Sequence, residues 1–171
     1  PLDMVLSYAR HYGIEPETAV EYVSHPDNAN PADDLTVTQF MRSWSEHVRS
    51  WTSKSAYPVL VLRYEDMLAN TGKAMRGLIE TLFRMPVDKP KLAHAVRATN
   101  FETMKKFEQT HGFAEKPSEM KAFFAKGQAG VWREDLTPSQ IERLRDAFLP
   151  TLEKWYPDLL AEVNRFLDRG A

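Results

Sequence analysis

Among the residues of this chain, Lys126, Gly127 and Gly130 are the ones best placed for chemistry, lying together in the stretch AFFAKGQAGVW at positions 122–132. Glycine tolerates the positive φ and the close backbone approach that let consecutive N–H groups converge on an anion, and a lysine beside them adds a point charge. The flanks have a different character. Phe123, Phe124 and Trp132 favour burial, whereas the two glycines weaken any helix or strand through the segment. The pattern predicts a loop pinned at both ends by aromatic rings, with a phosphate oxygen as the natural occupant of its middle. Taken alone, it also fits a plain surface loop with one cation.

Other chemistries find less support. There is no cysteine, which excludes disulfides, thiolate nucleophiles and cysteine-ligated metals. The histidines, His11, His25, His47, His94 and His111, show no HExxH or paired helical spacing, so no metal site is expected. Neither a GxSxG elbow nor a complete Walker A loop is present. His47 beside Glu46 has the type of a general base, but a histidine on an aromatic helix face is more often a structural group. With 22 basic and 24 acidic residues the formal charge is −2, so no chain-wide field attracts nucleic acid or an anionic membrane, and any anion site must be local. No apolar run approaches the roughly 20 residues of a membrane span, and no basic-then-apolar leader opens the chain. The expectation is a soluble, cytoplasmic protein without nucleic-acid partners.

The elements that would position the loop follow from periodicity. A length of 171 residues with 43% hydrophobic content supports one domain with a packed core. Leu2, Val5, Leu6 and Ala9 predict a helix over 2–12, stopped by Gly13; it begins at once, without an initiator methionine, as if in mid-structure. Residues 14–34, punctuated by Pro16, Pro26 and Pro31, read as a long polar connection and a flap extending to about residue 35. Val37, Phe40, Met41, Trp44, Val48 and Trp51 predict an amphipathic helix over 36–53. The run Val59 to Leu62 predicts a strand at 58–63, buried on both faces as in a parallel sheet. Further helices are expected at 70–83, at 88–98 with Asp88 as cap, at 101–107 after a Thr99 to Glu102 capping box, at 138–149 after a Thr137 to Gln140 box, and at 158–168. The fold class is therefore α/β, mostly helical, with its missing strands expected in sequence preceding Pro1.

Six blocks, PLDMVLS, SWSEHVRSW, VLVLRYEDM, TNFETM, FFAKGQAGVW and REDLTPSQIE, resemble in order and spacing the C-terminal part of the cytosolic-type sulfotransferases, over residues 1 to about 156. That resemblance implies a P-loop-like fold, a parallel sheet flanked by helices, of which residues 1–171 form the C-terminal portion of a single domain. It also implies 3′-phosphoadenosine 5′-phosphosulfate (PAPS) as sulfuryl donor, with adenosine 3′,5′-bisphosphate as product. Ser7 matches a serine that binds the nucleotide 3′-phosphate, with Asp3 at the acidic position of the same motif. Lys126 and the amide of Gly127 match the clamp on that phosphate, but Ala125 stands where the family has arginine, removing a forked donor that lysine cannot imitate. Tyr64, Thr99 and Phe101 match the adenine site, and Phe123 would wall the nucleotide.

The family's phosphosulfate loop and catalytic histidine match nothing here; they are expected upstream of Pro1, so the chain by itself should be inactive. Its acceptor would be a small-molecule or carrier-bound hydroxyl or amine. REDLTPSQIE overlays a segment used for homodimer contacts, with Arg133, Thr137 and Glu142 at its polar positions and Pro138 in place of valine. Two other readings stay open: a non-catalytic nucleotide-binding relative, kept alive by Ala125, and a helical interaction module anchored by Trp44 and Trp51.

Overall fold

Ten helices account for most of the chain among residues 1–30, 37–53, 56–117 and 120–170, the residues that the computed structural model describes. Their contacts group into two compact units, residues 1–54 with 130–171, and residues 55–129.

The first unit is built on apolar stripes. Helix α1 (Leu2–Tyr12) buries Leu2, Val5, Leu6 and Ala9 and ends where Gly13 turns left-handed at φ 62. Helix α2 (Pro16–Ser24) follows at once and buries Ala19, Val20 and Val23. The expected polar connection over 14–34 is thus corrected. Pro16 is not loop punctuation but the first residue of a helix, where its missing N–H costs nothing. Ala29–Asn30 (β1) and Gln39–Phe40 (β2) form a short antiparallel ladder. Residues 31–35 of the expected flap lie outside the described residues.

Helix α3 spans Trp44–Thr52, later than the stripe predicts. Ser43 starts it by accepting a hydrogen bond from the Glu46 N–H, and Val37 and Phe40 ahead of it are 77% exposed. The ring of Trp44 meets Phe148 at 4.9 Å and Tyr156 at 5.8 Å. After the short α8 (Trp132–Asp135), Thr137 and Gln140 make the reciprocal capping box read from sequence and open α9 (Pro138–Trp155). This helix runs on through Pro150 beyond the expected end at Leu149, burying Ile141, Leu144, Phe148 and Leu152. Helix α10 (Pro157–Gly170) packs on α9 and adds buried Val163.

In the second unit the expected strand at 58–63 is contradicted. The segment forms no strand and has no ladder partner among the described residues, and Val59 and Val61 are 44% and 37% exposed. A strand of a parallel sheet is held by its neighbours and covering helices, so an apolar run without them has nothing to pair with. Helices α4 (Tyr64–Ala69), α5 (Thr71–Thr81), α6 (Lys89–Ala98) and α7 (Phe101–His111) follow, each packed on the next. Asp88 caps α6 through the Lys91 N–H as read. The capping box at 99–102 moves by one residue: Asn100 caps α7 through the Thr103 N–H, while Thr99 closes α6. Thr99 lies at the end of α6, where its hydroxyl donates to the Ala95 carbonyl, and Asn100, in the extended conformation of an N-cap, takes the capping role.

Candidate functional site

The loop over 122–132 has no regular structure before α8, and its two glycines adopt positive φ, 60 at Gly127 and 88 at Gly130. At Gly127 a Cβ would lie 2.4–2.7 Å from three ring atoms of Phe101, so both the backbone conformation and the space favour glycine. Lys126, next to it, is exposed. A hydrogen bond from the Ala125 N–H to the Phe123 carbonyl, 3.0 Å, closes a tight turn just ahead of this pair.

Aromatic rings hold the entrance to the loop. Phe113 meets Phe123 at 4.7 Å and Phe124 at 5.1 Å, Phe123 meets Phe124 at 5.3 Å, and Phe124 meets Phe101 edge-on at 6.1 Å. Two residues expected at the nucleotide, Phe101 and Phe123, are therefore brought into one cluster, with the Gly127 backbone against the first of them. The ammonium of Lys105 lies 5.8 Å from the centre of the Phe101 ring.

Glu108 is the residue that the sequence did not mark. On α7, seven positions beyond Phe101, it is 8% exposed, and its carboxylate accepts from two successive loop amides, Phe123 at 2.6 Å and Phe124 at 3.0 Å. The Phe123 hydrogen bond is the main reason its carboxyl is held below the ordinary glutamate value; burial opposes the shift, while the Phe124 hydrogen bond and the Lys116 ammonium reinforce it. Consecutive N–H groups in a turn cannot pair with each other, so one carboxylate satisfies both. In sequence the only signal was its helical register with Phe101, shared by many glutamates.

The first unit anchors its own end of this stretch. Asp3 on α1 accepts from the Gly130 N–H at 2.6 Å and the Trp132 N–H at 2.8 Å. Trp132 is 2% exposed, packed edge-on against Phe166 at 5.4 Å, with the Arg133 guanidinium 4.7 Å from its ring. Ser7 lies on the same helix as Asp3, exposed.

The remaining expected residues sit apart in the chain. Tyr64 opens α4 and is 50% exposed. Thr99 is exposed and donates its hydroxyl proton to the Ala95 carbonyl at 2.9 Å. Within REDLTPSQIE the polar residues work inside the chain: Arg133 pairs with Glu162, Thr137 caps α9, and Glu142 pairs with Arg145 at 3.3 Å. No group of three or more potential metal ligands occurs among the described residues, and no helix there is long and apolar enough to cross a membrane.

The family model described as "Sulfotransferase domain" matches residues 1–156, and the chain belongs to that family. Among similar proteins, Sulfotransferase 1E1 of Bos taurus is 35% identical over 107 residues, covering 59% of this chain and 36% of the relative. Sulfotransferase 1A1 of Rattus norvegicus is 28% identical over 162 residues, 88% of this chain and 52% of the relative. Sulfotransferase 1E1 of Cavia porcellus is 31% identical over 126 residues, 67% and 41% respectively. The chain thus spans between about a third and a half of the length of these relatives.

Proposed function

We propose that this chain supplies the adenine and 3′-phosphate side of the nucleotide site of a sulfotransferase, which moves a sulfuryl group from PAPS to a hydroxyl or amine acceptor, small or carrier-bound. The observation that carries the reading is the Lys126–Gly127 turn, with Gly127 left-handed against Phe101 and the residues before it tied to Glu108. An amide presented by a fixed glycine, with a lysine beside it, suits a phosphate that must be gripped without rearrangement. Phe101 and Phe123 provide ring faces for a purine, and the hydroxyls of Tyr64 and Thr99 are of the type that hydrogen-bond a base edge. Ser7 is assigned to the same phosphate from the sequence correspondence, and a homodimer through residues 133–142 from the same source.

When bound, PAPS brings the activated sulfuryl group; the residues of this chain bind and orient the nucleotide that carries it. Ala125 favours a second reading, a relative that binds the nucleotide weakly or without turnover, since the forked donor is missing. Calorimetric titration with adenosine 3′,5′-bisphosphate and with adenosine 5′-monophosphate tests the assignment. Lys126→Ala should weaken the bisphosphate at least tenfold, about 1.4 kcal/mol, and leave the monophosphate nearly unchanged. Equal weakening of both would overturn the 3′-phosphate role.

A further inference from the structure

Four cations of the second unit have no place in the nucleotide site proposed above. Lys73 and Arg76 on α5 and Lys89 and Arg97 on α6 line one cavity of about 610 Å³ between the two helices, with Leu92 and Val96 also lining it. Positions 73 and 76 share a face of α5, and 89, 92, 96 and 97 share a face of α6, so the cluster is set by helical register. Among the described residues, no acidic side chain lines the cavity. Nor does any of the four cations form an ion pair among the described residues, whereas Arg49, Lys91, Arg133, Arg143 and Arg145 are each paired with a carboxylate. The four side chains are exposed, and they make the groove positively charged. Exposed cations gathered along one groove attract an anion whose charges match their spacing.

The dimensions narrow the ligand. Lys89 and Arg97 are eight residues apart on one helix, which at 1.5 Å per residue separates them by about 12 Å. A single phosphate or sulfate is too small to reach both ends. Nucleic acid fits poorly, because among the described residues no aromatic ring lines the groove for base stacking. We propose that the α5–α6 groove binds a short oligoanion, a molecule with two or more sulfate or phosphate esters spread over about 12 Å on a scaffold whose less polar face rests on Leu92 and Val96, as in an esterified oligosaccharide.

Isothermal titration of the purified protein with fully sulfated maltotetraose tests this, with phosphorylated maltotetraose run in parallel to tell which ester is preferred. The groove predicts saturable binding that weakens with added salt, at least a tenfold loss in the Arg76→Ser/Arg97→Ser double variant, and no change in Lys91→Ser, whose lysine lies on α6 outside the cavity. Affinity for adenosine 3′,5′-bisphosphate should be the same in all three proteins, which separates a failure here from a failure of the nucleotide assignment. Equal losses in the double variant and Lys91→Ser would overturn the proposal. So would binding of unmodified maltotetraose as tight as the sulfated form, or of single-stranded oligodeoxynucleotide tighter than either ester.

Discussion

The two units of this chain are organised by different forces. Among the described residues, every buried hydrophobic side chain, from Leu2 on α1 to Val163 on α10, belongs to the first unit, whereas the only buried residue of the second is a glutamate, Glu108. One unit gains its stability from apolar area removed from water; the other arranges its loop with a carboxylate, two backbone amides and the edges of aromatic rings. The difference matches the proposed nucleotide ligands, all of which but Ser7 belong to the second unit. Regions that bind ligands are drawn from the less stable end of a structure, because they must order around something that comes and goes.

The sharpest way to break the contrast is to remove one apolar side chain from each unit. Phe148→Ala, at a fully buried position against Trp44, should cost about 3–5 kcal/mol in chemical denaturation. Leu78→Ala, at a half-buried position on α5, should cost about 1 kcal/mol. Equal costs would mean that the second unit has an apolar core after all.

Next in size is Gly127→Ala. A methyl group there meets the Phe101 ring on a backbone already at φ 60, a strain of about 1–3 kcal/mol. It should weaken adenosine 3′,5′-bisphosphate binding by tenfold or more while leaving the unfolding of the first unit in place. Unchanged nucleotide affinity would detach this turn from the site.

The smallest effect is one of pH. Both units contain a carboxylate held below its ordinary value, Glu17 by Gln140 and then Arg143, and Glu108 chiefly by the Phe123 amide. A depressed carboxyl contributes fully at neutral pH, and its contribution is lost as the pH falls below the usual carboxylate range and through the folded value. Glu17 sits at the rim of an apolar core, but Glu108 holds its loop directly, so acid should loosen the second unit first. Amide chemical shifts of Phe123 and Phe124, followed from pH 7 down to about 3, should move before those of α9, and Glu108→Gln should reproduce the acid shifts at neutral pH. Simultaneous movement of both sets would remove the distinction.

What the sequence disclosed and what it hid follow from the range of the interactions. Asp88 and the Thr137–Gln140 box were legible because a cap is closed within four residues. The stripe of α1 was legible because all of its buried residues recur on one face. Helix α2 was missed although Pro16 is a start signal, since two later prolines gave the segment the look of a loop. Val37 and Phe40 continue the three- and four-residue spacing of the stripe, but the Ser43 cap decides where α3 begins. For residues 58–63 the apolar run was correct and the strand was not, because a strand is a property of its neighbours. In the candidate site, the glycine turn and its lysine could be read locally, whereas Glu108 lies 15 residues from the amide it binds and Asp3 lies 127 from Gly130. Nothing in their own surroundings points to those partners.

Hydrogen exchange with and without adenosine 3′,5′-bisphosphate tests the division between the units most directly. Bound nucleotide should slow exchange across residues 123–130 and at the start of α7 around Phe101, with the amides of α9 little changed, and adenosine 5′-monophosphate should give much less protection at Lys126 and Gly127. Protection confined to the first unit, or the same at Gly127 with both nucleotides, would contradict the assignment of the 3′-phosphate to the Lys126–Gly127 turn.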